Sequence, residues 1–120
     1  MSDINDFKDL RIWQKGISIA EKSYFITKLF PKDELYGMVQ QIRRSAASIP
    51  ANIAEGYGRG YTKEYLRFLN IARGSINELE THLILSERVG LCEKKEVEII
   101  ICLLREESRM ITSLIKKLEK

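Results

Sequence analysis

Residues 34–56 read ELYGMVQQIRRSAASIPANIAEG. Leu35, Met38, Ile42, Ala46, Ile49 and Ile53 recur three and four apart, which places them on one face of a helix. Pro50 falls inside that pattern, where its ring removes one helical hydrogen bond and presses on the carbonyl of Ala46. The apolar register survives on both sides, so a kink is expected there and not a stop.

Working outward, Phe30-Pro31 ends an earlier helix over roughly 8–29, because proline disfavours helical geometry in the residue before it. Asp33 and Glu34 then suit the positive end of the next helix. The earlier helix has two apolar lines: Leu10, Trp13, Ile17, Ala20 and Tyr24, and Ile12, Ile19 and Ile26. The first reads as the core line. The second is left over as a sticky flank. Downstream, Gly56-Tyr57-Gly58-Arg59-Gly60 reads as a flexible break. A third helix is expected to start at Thr62 as N-cap, with Tyr61 and Leu66 as a hydrophobic staple. Its core line is Leu69, Ala72, Ile76, Leu79 and Leu83, and Gly90 suits its C-terminal cap. A fourth, roughly 94–118, carries Val97, Ile100, Leu104, Ile111 and Leu118, widened by Ile101, Leu114 and Ile115.

Short connections between long helices imply antiparallel neighbours. The expected fold is all-α, an up-down-up-down four-helix bundle in one domain over residues 1–120, with residues 1–6 as a flexible tail.

Composition agrees. Of 120 residues 44% are hydrophobic, with 7 Gly and 2 Pro, which argues against disorder and against a turn-rich β fold. The apolar run Ile99 to Leu104 is far short of the ~20 residues that span a bilayer, and the polar, acidic start is wrong for a secretory signal. Cys92 and Cys102 make no disulfide scaffold and no CxxC pair, and read as small hydrophobes. A soluble, cytoplasmic protein without cofactor or membrane partner is expected.

Two departures from plain amphipathicity carry the functional reading. Gln41, Ser45, Ser48, Asn52 and Glu55 form a polar stripe beside the apolar line of the second helix. Gly74, Ser75, Glu78 and His82 lie off the main line of the third and are a candidate complement. The stripe serves contacts within the bundle or a seam between subunits. With the Ile12-Ile19-Ile26 flank, it leads to an expected homo-oligomer.

The second departure is charge. Residues 43–73 hold Arg43, Arg44, Arg59, Lys63, Arg67 and Arg73 against Glu55 and Glu64, whereas the whole chain is only +3. Arginine forks bind phosphate well, and symmetry would multiply a modest patch into a ring. A solvated face is the competing explanation, with Arg44 paired to a carboxylate of the stripe. No aromatic stacking platform stands out, although Tyr57 and Tyr61 flank the glycine-rich segment.

Catalytic readings are weaker. Di-iron chemistry needs two Glu-x-x-His motifs, and the one histidine, His82, follows Glu78 by four. A metal-dependent all-α nucleotide hydrolase would want clustered carboxylates. Glu93 and Glu96 have that spacing, but at a helix start, where acids are favourable anyway. A ribonuclease pair is missing, since Arg73 and His82 lie nine residues apart.

The segment from Gln41 to Gly56 closely resembles the signature of the bacterial four-helix bundle family linked to 23S rRNA intervening sequences. Phe7-Lys8-Asp9-Leu10 with Trp13-Gln14, Phe30-Pro31 with Glu34, and LNIARGSINELETHL over 69–83 agree with it. The chain is also similar to the accessory variability protein of diversity-generating retroelements. The resemblance implies a homopentamer of bundles without known catalysis, with RNA or DNA as candidate partner. It marks Arg43, Arg44, Asn52, Glu55 and Glu78 as signature positions, with Asn52, Glu55 and Glu78 assigned to the fold.

The leading expectation is a non-enzymatic oligomeric module that associates with nucleic acid, with Arg43, Arg44, Arg59, Lys63 and Arg67 as contacts. The alternative is a structural or protein-binding module whose charges only keep it soluble.

Overall fold

Ile12, Ile19 and Ile26 are the residues through which the first helix enters the core, at 6%, 0% and 7% exposure. This reverses the assignment made from periodicity. Of the other line Leu10, just ahead of the regular helix, is buried at 8%, but Trp13 and Ala20 only pack against the core's edge, Ile17 is half-buried and Tyr24 is exposed. Both lines satisfy a helical period, and the narrower one, repeating every seven residues, faces the partner helices. The isoleucine flank is therefore hidden within one chain and gives no reason to self-associate.

The computed structural model describes residues 4–120. The expected tail at 1–6 lies partly outside that range; within it, Asp6 caps a 3-10 turn, Phe7–Asp9, in a reciprocal capping box with Asp9. Four helices follow: α1 Arg11–Thr27, α2 Gln40–Gly58, α3 Thr62–Arg88 and α4 Lys94–Leu118. No strand occurs among the described residues. Antiparallel neighbours pack in the order expected of an up-down-up-down bundle, 46 Å long and 23 × 22 Å across. That length suits α3, whose 27 residues rise ~40 Å at 1.5 Å each.

Between α1 and α2 the chain passes through a 3-10 turn, Lys32–Glu34, and a π-helical turn, Leu35–Val39. The latter is broken by non-helical backbone at Gly37 (φ −114°, ψ −108°). The regular second helix therefore starts six residues later than the apolar pattern suggests. Leu35 is exposed, and Glu34 instead caps the π turn by accepting from the Met38 amide at 3.4 Å. From Gln40 onward α2 runs through Pro50 without stopping.

The glycine-rich break is mostly helix. Gly56 and Gly58 end α2, and only Gly60, at φ 83°, turns the chain. Gly56 is buried because α3 comes close: a Cβ there would stand 2.6 Å from Cβ of Phe68. Thr62 is the first residue of α3, not its cap. Exposed Tyr61 holds the cap position, its carbonyl accepting from the Tyr65 amide at 3.1 Å, with no side-chain cap bond. At the other end of α3, Gly90 (φ 86°) closes a Schellman turn in which the Leu91 amide donates to the Ser86 carbonyl at 2.9 Å.

The core holds the expected line of α3 and that of α4 except Leu118, which packs against the edge while Ile115 is buried, with Ile42, Ala46, Ile49 and Ile53 from α2. Besides buried serine and threonine hydroxyls, the interior takes in a carboxyl group: Glu107 is 0% exposed on α4. Gly16 of α1 makes room for it, since a Cβ there would lie 3.2 Å from Glu107 Oε2 and 3.3 Å from Pro50 Cβ.

Candidate nucleic-acid interface

The helix that carries the signature segment separates the candidate residues. Arg43 and Arg44 lie near the start of α2, and Arg59 lies just past its last residue. At 1.5 Å per residue these positions are ~22–24 Å apart along the bundle. They form two sites, not one patch.

At the α2–α3 end, the arginines are spoken for. Arg59 donates to Glu55 (Nη2–Oε2 2.8 Å) and approaches Glu64 at 3.9 Å. Arg67 grips Glu64 with Nε and Nη2 at 3.0 and 3.2 Å. Both guanidinium groups cover the Phe68 ring, 5.1 and 4.4 Å from its centroid. The hydrogen bond from Arg67 holds the Glu64 carboxyl below its ordinary value, and Glu64 raises Arg67 in return. Lys63 keeps its charge free of any ion pair among the described residues. The cluster is a cap that ties α2 to α3, with one spare cation.

At the other end, Arg43 and Arg44 border an open groove between α1 and α2 of about 620 Å³, whose lining includes Tyr24, Leu35, Tyr36 and Ser48. Among the described residues no carboxylate lines it. Arg43 Nε donates to Thr27 Oγ1 at 3.0 Å while its guanidinium lies 4.7 Å from the Tyr24 ring centroid. Arg44 Nη2 donates to Gln41 Oε1 at 2.7 Å, so its neighbour from the stripe is an amide, not the carboxylate considered from sequence. Neither arginine has an ion-pair partner among the described residues. Tyr36, raised on the π-helical turn, is 88% exposed beside them. Two aromatic rings that the sequence reading did not bring near the arginines therefore stand here, from residues 7 and 19 positions before Arg43. Sequence distance hid them, because only the α1–α2 connection folds Tyr24 and Tyr36 onto the start of α2.

The polar stripe satisfies itself along its own helix. Ser45 donates to the Gln41 carbonyl at 2.9 Å, Ser48 to that of Ser45 at 2.8 Å, and Asn52 to that of Ser48 at 2.7 Å. Glu55 accepts from Arg59. On α3, Glu78 stands 3.8 Å from His82 Nε2, and exposed Gly74 has open space where a Cβ would be.

Glu93 and Glu96 form a capping box, the Glu93 amide donating to Glu96 Oε1 at 3.1 Å. Among the described residues no group of three or more His, Cys, Asp or Glu is placed to hold a metal. Cys92 packs at the core's edge, its thiol pushed up to about 11 by burial and by Glu96 and Glu87. Cys102, read from sequence as a small hydrophobe, is exposed. No described helix is long and apolar enough to cross a membrane.

Compared with known families, residues 8–113 match the 23S rRNA-intervening sequence protein family. The chain belongs to that family. The chain is similar in fold to the crystal structure of a protein with unknown function from the S23 ribosomal protein family of Bacteroides thetaiotaomicron. It is 28% identical, with a TM-score of 0.78, over 88% of this chain and 98% of that one. No curated protein matches the chain. This intervening-sequence protein thus shares with that relative the four-helix architecture on which both arginine sites are built.

Proposed function

We propose that this intervening-sequence protein is a non-catalytic, self-associating module that holds nucleic acid through the start of α2. One observation carries the reading: Arg43 and Arg44 face an open groove that no carboxylate lines among the described residues. The arginines at the far end of α2, by contrast, are held by Glu55 and Glu64. A guanidinium without a carboxylate keeps its planar fork for phosphate. Lys63 adds a second, weaker electrostatic contact.

Self-association is supported by a different surface. Phe25 of α1 and Ile99 of α4 are 63% and 58% exposed and line one shallow groove, with Leu29 at 82% farther along. The pentamer implied by the resemblance is the assembly we propose.

The test is the affinity for RNA and DNA across a salt series. Arg44→Gln is expected to weaken binding several-fold and to flatten the log–log salt slope by about one phosphate contact, while Lys63→Gln stays within about twofold. Equal binding by wild type and Arg44→Gln would remove the arginine groove from the reading. Failure of wild type to bind either polymer at low salt would remove nucleic acid altogether.

A further inference from the structure

We infer that the α1–α2 groove receives unpaired nucleotides, with a base stacked on Tyr36 and the adjoining phosphate on Arg44. The inference rests on the nucleic-acid reading above and names which form of nucleic acid the site takes.

Tyr36 contributes nothing to the core. Its side chain is 88% exposed, and the turn that presents it is the distorted one at Gly37. A second ring, Tyr24, is 42% exposed and is braced by the Arg43 guanidinium on its face. Two presented rings beside two arginines without ion-pair partners are the elements of a single-strand site: aromatic faces for bases and forks for phosphates. A duplex does not fit this use. Its base faces are already stacked on one another, and its grooves offer a protruding ring only edges and sugars. A base out of the stack has a free π face, which every base type supplies, so the site is expected to tolerate sequence. The absence of carboxylates lets the phosphate approach without repulsion.

The experiment uses the full chain with a short mixed-sequence RNA strand, the DNA strand of the same sequence, and the blunt duplex of each. Single strands are expected to bind about tenfold tighter than duplex, and Tyr36→Ala to remove about that factor from single strands while leaving duplex unchanged. Tyr36→Trp, read against the native Trp13 signal of wild type, is expected to lose fluorescence on adding either single strand. Since Tyr36 is exposed, neither variant threatens folding. Unchanged single-strand affinity in Tyr36→Ala, or preference for duplex, overturns the inference. If Arg44→Gln weakens binding and Tyr36→Ala does not, phosphate contact stands and base stacking falls. If Tyr36→Ala instead changes the sedimentation coefficient and leaves nucleic-acid affinity alone, the groove seats a second copy of the chain and the inference fails. If wild type binds neither strand, the underlying reading fails with it.

Discussion

Glu107 has its whole side chain out of water, and neither carboxylate oxygen finds a hydrogen-bond donor among the described residues. Desolvation pushes its pKa from the ordinary 4.5 up to about 8, against a smaller opposing pull from Lys15. The folded chain therefore keeps a proton that the unfolded chain releases. Glu107's own contribution to stability is full below about 4.5 and is lost as pH rises toward about 8. The loss is about 1.4 kcal/mol for each pH unit in that window. Chemical denaturation at several pH values is expected to show this fall, and Glu107→Gln to flatten it and to raise stability at pH 8. A slope that survives in Glu107→Gln would mean that another group titrates. The residue was legible in the sequence: Val97, Ile100, Leu104, Glu107, Ile111 is an unbroken three-and-four pattern. Reading only apolar members of the pattern skipped the one that titrates. Tyr36 left no comparable trace, because its exposure comes from a distorted turn that periodicity does not encode.

For whole elements, glycine separates close packing from mere tolerance. Gly56 lies where α2 meets α3, and a Cβ there would press on the Phe68 Cβ at 2.6 Å and the Tyr65 ring at 3.3 Å. Gly74 is a glycine in mid-α3 with nothing within 4 Å. Gly56→Ala is expected to cost about 1–3 kcal/mol by overpacking. Gly74→Ala is expected to add about 0.5–1 kcal/mol by removing backbone freedom from the unfolded chain. Thermal melts of the two variants decide the matter, and a neutral Gly56→Ala would show that α2 and α3 can move apart without cost. The number of helices, their order, the core line of α3 and all but Leu118 of the line of α4 followed from spacing alone. The inward face of α1 did not, since two lines fit one helical period and only the neighbours choose between them. The end of α2 was misread for a related reason: glycine marks a turn in isolation, but here Gly56 marks a helix crossing.

Across the molecule, the sites divide along the 46 Å axis. The end where α2 finishes and α3 begins is closed by Arg59, Glu55, Glu64 and Arg67, and the opposite end opens at Arg43 and Arg44. The apolar face of Phe25 and Ile99 runs on the α1–α4 side, away from the α1–α2 groove. Such a division lets one surface bind copies while another stays free for a strand. Lys28 lays its Nζ 4.8 Å over the Phe25 ring, a contact that water and salt reach freely. Exposed rings and branched side chains in one patch favour burial against another chain. Sedimentation at micromolar concentration is therefore expected to show a multimer for wild type. The double variant Phe25→Asp with Ile99→Asp is expected to sediment as a monomer with unchanged helical circular dichroism, since both positions lie outside the core. Its nucleic-acid affinity should fall even though the α2 groove is untouched, because a multimer presents several grooves to one strand and a monomer presents one. A monomeric wild type would refute self-association. A multimeric double variant would move the interface away from the α1–α4 face.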